Sequence, residues 1–464
     1  MTVLLLALVF ISACALAAEN SEEGDLVFGK KAFNDGFYDL ARERFENFIK
    51  DYPRTSHADE VHALLGRCYY YQDNLKKALY ELEIILNNPK AMSAFHDEAT
   101  YWAGEVYFKN GDYKRAMEYY EKIIDDFPSS RYLSYAVYSK AWSYYKLGFL
   151  EEAIRTFREV VLKHPFEKSA MESQFRIGEC EYLLGRYDGA SRELGIFTEK
   201  FPVSEKTAEA YYLSGEAAFY HAKYKDAIAH FSRAVSISPD VKWAAFAVYR
   251  MARCHSLLGD NASAVKEFKR CLAASNDDYL AARALLGLAE SYEALGLIDE
   301  ALEACDEVLE RRSKAGASDE AYYKKMKLLY NRARYREAQS AALEAIEKFP
   351  KSEYLDGFHY ELGWIYLIQG KLEEAALEFA WVGNSSDDAN LAAGSLCKIG
   401  DIDIDKKEYA EAAKRFDNVL DKYPDSAWAD YAEFQTANIF LATDRYDQAI
   451  LAYQSALTNF PATP

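Results

Sequence analysis

The sequence predicts an all-α fold in which about twelve helix-turn-helix repeats of 37 residues stack into a solenoid. Three observations predict this fold: one alanine recurs at a fixed spacing, small and aromatic residues keep step with it, and proline and glycine mark the ends of each unit. The chain has 464 residues, more than the roughly 250–300 that one compact core supports, so a fold that extends by repetition is expected from length as well.

The recurring alanine sets the period. Successive members are 37 residues apart, except for one interval of 38 residues between Ala78 and Ala116. We call them the marker alanines: Ala41, Ala78, Ala116, Ala153, Ala190, Ala227, Ala264, Ala301, Ala338, Ala375, Ala412 and Ala449. A glycine or alanine lies twelve residues before the marker in eleven repeats, with Met326 as the exception, and such residues let two helices approach closely. A large apolar residue usually follows four residues after the marker, on the same helix face.

Proline and glycine mark where the helices end. Eight repeats carry proline twelve residues after the marker alanine, as at Pro128 and Pro350, where it stops the second helix. A glycine five residues before the marker, as at Gly111 and Gly148, indicates the tight turn that joins two helices. Each unit is therefore predicted to be a helix, a turn, a second helix and a stop.

These spacings have a known counterpart. Gly104, Tyr107, Ala116, Tyr120 and Pro128 reproduce the tetratricopeptide pattern of G-x2-Y, A-x3-F and P, with three residues added to the usual 34. From about residue 22 to 464 the chain resembles the tetratricopeptide repeat (TPR) family. Its loops after proline resemble those of periplasmic and outer-membrane members, of the barrel-assembly lipoprotein and Tol-Pal-associated cell-division coordinator type. The resemblance implies a right-handed superhelix whose first helices line the concave side.

The N-terminus resembles an export signal. An apolar run is followed by small residues, which predicts a signal peptide over residues 1–18 and one solenoid domain over residues 19–464, with a bend expected near residues 311–318. Two cleavage sites are open. Cleavage after the Ala15-Leu16-Ala17 motif would leave a free N-terminus, whereas residues 11–14 resemble a lipobox, which would end the signal at residue 13 and make Cys14 the lipid-attached first residue. The expected location is the periplasm, at the outer membrane if the chain is lipidated.

Composition argues against several classes of function. The formal net charge of −19 opposes binding to phosphate backbones, so no nucleic-acid partner is expected. The cysteines and histidines show no metal-ligand spacing, and no nucleophile elbow or phosphate loop is present, so we predict a non-catalytic protein with no metal or cofactor. The six cysteines beyond Cys14 are expected to be buried free thiols.

Aromatic residues recur on the predicted first helices, fifteen and eight residues before the marker alanine, with tryptophan and arginine beside them. The predicted partner-binding groove comprises Tyr101, Trp102, Tyr138, Trp142, Tyr145, Phe175, Arg176, Tyr182, Tyr212, Phe219, Tyr249, Arg253, Tyr323, Tyr330, Tyr360 and Trp364. Rings with a polar tip are common at recognition surfaces. Two interpretations remain open: the rings face a ligand, or they pack between repeats.

These features lead to a functional hypothesis. We expect a protein-interaction scaffold of the bacterial cell envelope that binds a partner protein or an extended peptide in its groove, for outer-membrane assembly or envelope organisation. The alternative is a glycan-binding module for peptidoglycan or exported polysaccharide. The sequence stops directly after the second helix of the twelfth repeat, so we expect a partner or further sequence to cover that end.

Overall fold

The structure is a computed structural model that describes residues 22–88, 94–165, 167–239, 243–311 and 316–459. The predicted export signal with Cys14, and residues 312–315 of the predicted bend, lie outside the described residues. Within the described ranges all regular structure is helical, which confirms the all-α TPR-type repeat fold. The chain divides into two compact units, Met1–Pro239 and Asp240–Pro464, each with six helix pairs. The single domain and the bend at 311–318 stay predictions.

We number the helices in chain order, so that odd numbers are the first helices of the repeats and even numbers the second. The first helices are α1 Glu22–Asn34, α3 Ala58–Tyr71, α5 His96–Lys109, α7 Leu133–Lys146, α9 Lys168–Leu183, α11 Thr207–Tyr220, α13 Ala244–Leu257, α15 Asp278–Ala294, α17 Ser318–Asn331, α19 Leu355–Ile368, α21 Ala389–Asp405 and α23 Ala429–Ala442. The second helices are α2 Tyr38–Asp51, α4 Leu75–Leu86, α6 Tyr113–Asp126, α8 Leu150–Lys163, α10 Tyr187–Lys200, α12 Tyr224–Ile237, α14 Asn261–Ala274, α16 Ile298–Arg311, α18 Tyr335–Lys348, α20 Leu372–Ser385, α22 Tyr409–Lys422 and α24 Tyr446–Asn459.

The turn inside each repeat forms where the sequence predicts it. Gly111 has φ +81°, and the next amide, Asp112 N–H, donates to the carbonyl of Tyr107 at 3.0 Å, which closes the end of α5. Five repeats use a residue other than glycine in this left-handed conformation, among them Ala222 at φ +56°. A non-glycine residue costs roughly 1 kcal/mol there, so the packing of the two helices must hold these turns in place.

The core of each repeat depends on one close approach of its two helices. All twelve marker alanines are buried, with no more than 2% of their surface exposed. The small residue twelve positions before the marker faces the large residue four positions after it: a Cβ on Gly178 would lie 2.5 Å from Leu194 Cγ. In the ninth repeat the two volumes are exchanged, since Met326 and Ala342 occupy these positions and both are fully buried. The exception in the sequence pattern is therefore a compensated pair.

The three residues that lengthen the repeat connect it to its neighbour. Two residues after Pro128, the Ser130 hydroxyl donates to Asp97 Oδ2 at 2.6 Å and accepts from the backbone N–H of Tyr132 at 3.0 Å. Ser352 makes the same pair of bonds, to Asp319 at 2.7 Å and from the N–H of residue 354 at 3.0 Å. The added loop thus starts the next first helix and bonds it to the N-terminus of the preceding one.

Cysteines contribute to this core. All six described cysteines are buried and free, as the sequence predicts. Burial raises the pKa of five of them to about 12: Cys68, Cys180, Cys271, Cys305 and Cys397. They therefore behave as small apolar side chains rather than as reactive thiols.

Substituting Gly178 with alanine tests the close approach. We expect Gly178→Ala to destabilise the first unit by roughly 1–3 kcal/mol, because the new Cβ would overlap Leu194, despite the better helix propensity of alanine. The readout is the urea midpoint of the far-UV circular dichroism signal. Gly195→Ala in α10 is the matched control, because the added methyl group would meet no atom within 4 Å, and it should raise the midpoint slightly. Equal shifts for both variants would contradict the packing argument.

The raised thiol pKa values predict slow alkylation. At pH 8 a thiol of pKa about 12 is thiolate in only about one molecule in 10,000, so the five cysteines with a raised pKa should resist iodoacetamide in the folded protein. Cys254 should resist it as well, because its side chain is buried. In urea all six should react at the rate of free cysteine. Peptide mapping by mass spectrometry distinguishes the sites, and rapid labelling of any one of the six under native conditions would show that its repeat opens locally.

Candidate binding surface

The first helices lie on the inner side of each stack. Within both units, successive first helices contact one another, as α1 does with α3 and α21 with α23, in addition to contacting their second helices. Among the described residues, no two successive second helices make a contact of comparable extent. Any surface shared by several repeats of one unit is therefore built mainly from first helices.

The shared surface follows four positions of each first helix. We define the inner stripe as the residues 18, 14, 11 and 7 positions before the marker alanine, a spacing that puts them on one helix face. Side chains of successive stripes bond directly: Arg67 to Glu98 at 2.9 Å in the first unit, and in the second Arg253 to Glu290 at 2.8 Å and Lys327 to Glu361 at 2.7 Å. The stripe is thus a connected surface within each unit.

The residues predicted from the sequence fall into two groups. Five lie on the inner stripe: Trp102, Trp142, Arg176, Arg253 and Trp364. The other eleven lie beside it, seven at fifteen positions before the marker (Tyr101, Tyr138, Phe175, Tyr212, Tyr249, Tyr323 and Tyr360) and four at eight positions before it (Tyr145, Tyr182, Phe219 and Tyr330). All sixteen side chains are buried or half-buried.

Rings of the second group pack inside their own repeat or against the next one, as Tyr101 does on Tyr132 at 4.9 Å and Tyr323 on Phe358 at 5.5 Å. At fifteen positions before the marker, the Tyr360 ring lies 5.7 Å from Phe379 of the second helix, and Phe175 is fully buried. At eight positions before the marker, Tyr182 lies 6.0 Å from Tyr187, the first residue of its second helix. Phe175 offers no surface to a ligand. For the half-buried rings, a role in binding stays a prediction.

Cations on the inner stripe already contact aromatic rings. The Arg176 guanidinium lies 4.5 Å above the Trp142 ring and pairs with Glu172 at 2.9 Å and with Glu179. Burial alone would lower the pKa of Arg176, but the two carboxylates outweigh it and raise that pKa, so the group stays charged. In the second unit the Lys398 ammonium lies 5.2 Å from the Trp364 ring. These contacts fix the orientation of the rings before any partner binds.

The second unit has an open pocket on its inner stripe. The pocket lies between α21 and α23, has a volume of about 400 Å³ and is lined by Asp401, Ile404, Asp405, Tyr409, Tyr431, Gln435, Asn438, Ile439 and Ala442. Asp401 Oδ1 accepts the Tyr431 hydroxyl at 2.8 Å. Carboxylates, amides and phenol groups together suit a ligand rich in N–H or O–H groups.

Comparison with known families identifies the repeats. A family model described as tetratricopeptide repeat matches residues 26–91, 138–195, 184–241 and 249–318, which is more than half of the chain. The chain belongs to the tetratricopeptide repeat family. A tetratricopeptide repeat-like domain model matches residues 310–463 of this TPR chain, and a model described as anaphase-promoting complex, cyclosome, subunit 3 matches residues 83–160.

Solved structures similar to this TPR chain include a crystal structure of MamA, 24% identical over 38% of this chain and 95% of that one, with a TM-score of 0.33. A TPR protein from Parabacteroides merdae is 15% identical over 57% and 98%, at 0.39. The apo form of RapI is 15% identical over 70% and 97%, at 0.46. No curated protein matches the chain. TPR solenoids typically serve as scaffolds for protein–protein interaction.

The most exposed apolar side chains on the inner stripe of this TPR chain are ones that the sequence analysis missed. They are 42% to 56% exposed, more than any of the sixteen predicted residues, and comprise Val27, Tyr71, Tyr135, Leu183 and Tyr220 in the first unit and Leu257 and Ile368 in the second. They lie 18, 14 or 7 positions before the marker alanine, whereas the sequence search counted back 15 and 8. The bonds between neighbouring first helices identify the helix face that the repeats share. The sequence search did not use such pairs and therefore counted from the wrong positions.

Two further searches concern metals and membranes. Within residues 22–459, gaps excepted, no cluster of histidine, cysteine or carboxylate side chains could hold a metal ion. None of the helices in the described ranges combines the length and apolarity needed to cross a bilayer.

Proposed function

We propose that this TPR chain is a scaffold of the bacterial cell envelope that binds a partner protein, or an extended peptide of it, along the inner stripe of the first unit. The proposal rests on one observation: Tyr71, Tyr135, Leu183 and Tyr220 expose apolar surface on the inner stripe of the first unit, where charged side chains such as Glu98 and Arg176 also lie. Isolated exposed apolar residues are ordinary, but residues that share one stripe of one unit can contact the same ligand.

Energetics favour these four residues as anchors. Burying one large apolar side chain contributes about 1.5–3 kcal/mol, and interface hot spots are enriched in tyrosine. The surrounding charges are already paired, as Glu98 is with Arg67 and Arg131. They form a polar rim that stays solvated when a partner binds, so binding does not require their desolvation. This surface suits a ligand that carries aromatic or aliphatic side chains at intervals and polar side chains between them.

Location in the envelope is proposed from the N-terminal sequence. The apolar run before Cys14 and the small residues after it suit export, and the loops after proline resemble those of periplasmic and outer-membrane TPR proteins. We infer that the mature chain lies in the periplasm and that lipid on Cys14, where present, holds it at the outer membrane. The scaffold would then serve outer-membrane assembly or envelope organisation.

Mass spectrometry of the mature N-terminus tests the location. We expect a chain that begins either at an acylated Cys14 or at a free residue near Ala18, because each follows from one of the two cleavage motifs. Fractionation of the producing cells should recover that species from the envelope. A chain that keeps Met1 and stays with the cytosol would contradict export.

Site-specific photocrosslinking tests the binding surface. A photoreactive phenylalanine analogue in place of Tyr135 should give a defined crosslinked product in living cells, because this position is exposed on the inner stripe. The same analogue at Leu162 of α8 is the control, because Leu162 is also exposed but lies on a second helix. Adding Leu183→Glu to the Tyr135 probe should reduce the product about tenfold.

Other outcomes of this experiment exclude the proposal. Equal products at both positions would show that contact is unspecific, and no product at either would remove the inner stripe as a binding surface. A product that a muramidase shortens would show a glycan ligand instead. The pocket lined by Asp401, Gln435 and Asn438 would then be the first place to map that ligand.

A further inference from the structure

The eleventh repeat holds a cation between aromatic rings and a carboxylate on its inner stripe. The Lys398 ammonium lies 5.2 Å from the Trp364 ring and 5.3 Å from the Tyr431 ring. It pairs with Asp401 at 2.9 Å. Lys398 lies 14 positions before the marker alanine and Asp401 lies 11 positions before it. Arg176 makes the corresponding contacts in the fifth repeat, with a tryptophan ring and two glutamates. Rings and a carboxylate around one positive group form a favourable cation site.

The third repeat has the rings and the carboxylate of such a site. Its residues at the same two positions are Trp102 and Glu105, so a tryptophan stands where the eleventh repeat has lysine. The Trp102 ring lies 5.8 Å from that of Tyr71 and 5.7 Å from that of Tyr101. The Tyr101 ring lies in turn 6.3 Å from that of Tyr135. Tyr71 and Tyr135 belong to the first helices before and after α5, and both are exposed.

Two hydroxyl groups hold Glu105 on this surface. Glu105 Oε1 accepts from the Tyr120 hydroxyl of α6 at 2.8 Å and from the Ser139 hydroxyl of α7 at 2.8 Å. The second oxygen, Oε2, makes no hydrogen bond with a described residue, and the side chain is half-buried. One oxygen is thus fixed by the fold, and the other is left for a ligand.

Glu105 is an exception to the pairing of charges on the inner stripe. Arg67 pairs with Glu98 at 2.9 Å, and Lys109, one helical turn beyond Glu105, pairs with Asp73 at 2.9 Å. Within the described ranges, no lysine, arginine or histidine lies within ion-pair distance of Glu105. A carboxylate beside aromatic rings favours a positive group, and the chain does not supply one here.

We call the half-buried and exposed residues of this constellation the third-repeat site: Tyr71, Trp102, Glu105 and Tyr135. We propose that the third-repeat site binds a lysine or arginine side chain of the partner protein. The positive group pairs with Glu105 Oε2, as the chain's own lysine pairs with Asp401, and its methylene chain lies against the rings. This inference rests on the proposed function, because the site lies between two of the apolar anchors of the inner stripe. It adds that the bound segment carries a cation between its apolar side chains.

Selection from a library of random short peptides tests the proposal. The full-length protein is offered the library on phage at about 0.3 M salt, which screens general attraction to the acidic chain. We expect enrichment of peptides with lysine or arginine next to aromatic or aliphatic residues. A synthetic peptide of the enriched sequence should bind saturably in an anisotropy titration. Replacing its basic residue with norleucine removes the charge, keeps the apolar chain and should weaken binding about tenfold.

Two protein variants separate the site from the overall charge. Glu105→Gln keeps an acceptor for both hydroxyl groups and should weaken the basic peptide about tenfold, but should not affect the norleucine peptide. Glu118→Gln is the matched control, because Glu118 is an exposed side chain of the second helix α6, and it should leave the affinity for both peptides unchanged.

The pH gives a further readout. Burial raises the pKa of Glu105, against the opposing effect of the hydroxyl groups of Tyr120, Ser139 and Tyr101. A bound cation favours the charged carboxylate and lowers that pKa, so the affinity for the basic peptide should fall as the pH is lowered. Glu105→Gln should not show this fall. The tyrosines that face Glu105 from α3, α5 and α6 have raised pKa values and stay neutral as the pH is lowered.

Several results would overturn the proposal. They are failure to enrich any peptide, enrichment of peptides without a basic residue, an undiminished affinity of the norleucine peptide, and equal losses with Glu105→Gln and Glu118→Gln. A photocrosslink from position 135 to a partner segment without lysine or arginine would also overturn it. That last result would leave the proposed inner-stripe function standing, so the two failures are distinguishable.

Discussion

The close approach of the two helices within each repeat is the constraint on which the rest of the structure depends. A marker alanine and a small residue opposite a large one, such as Gly178 opposite Leu194, bring the helix backbones together. One helix pair cannot bury both of its apolar faces, so each pair must pack on the next. The short distance inside a repeat therefore dictates stacking.

The stacking of the repeats also determines which charged side chains lie close enough to pair. Because successive first helices contact each other, charges on them pair between repeats, and Glu98 accepts from arginines of the repeats before and after its own. Those pairs neutralise most of the stripe and leave isolated apolar side chains such as Tyr135 as its distinguishing features. A partner would be recognised by where these side chains lie along the stack.

The sequence predicts the architecture well because the same pattern of small, apolar and helix-ending residues recurs from repeat to repeat. The period, the left-handed turn at Gly111 and the burial of the marker alanines follow from residue size and backbone conformation alone. The binding face was located less well. Tyr101 and Trp102 are adjacent in sequence and differ by about 100° around the helix, and the contact between first helices decides which of the two joins the shared stripe. Bonds such as Ser130 to Asp97 depend on loop geometry that no single repeat encodes.

The exchanged pair of Met326 and Ala342 bears on how such a chain changes over evolutionary time. Met326 and Ala342 are both fully buried, so a larger residue on one helix of the pair can be compensated by a smaller residue sixteen positions away. Duplication or loss of whole 37-residue units keeps each such pair intact. The number of repeats can therefore change without altering the packing between the two helices of any one repeat.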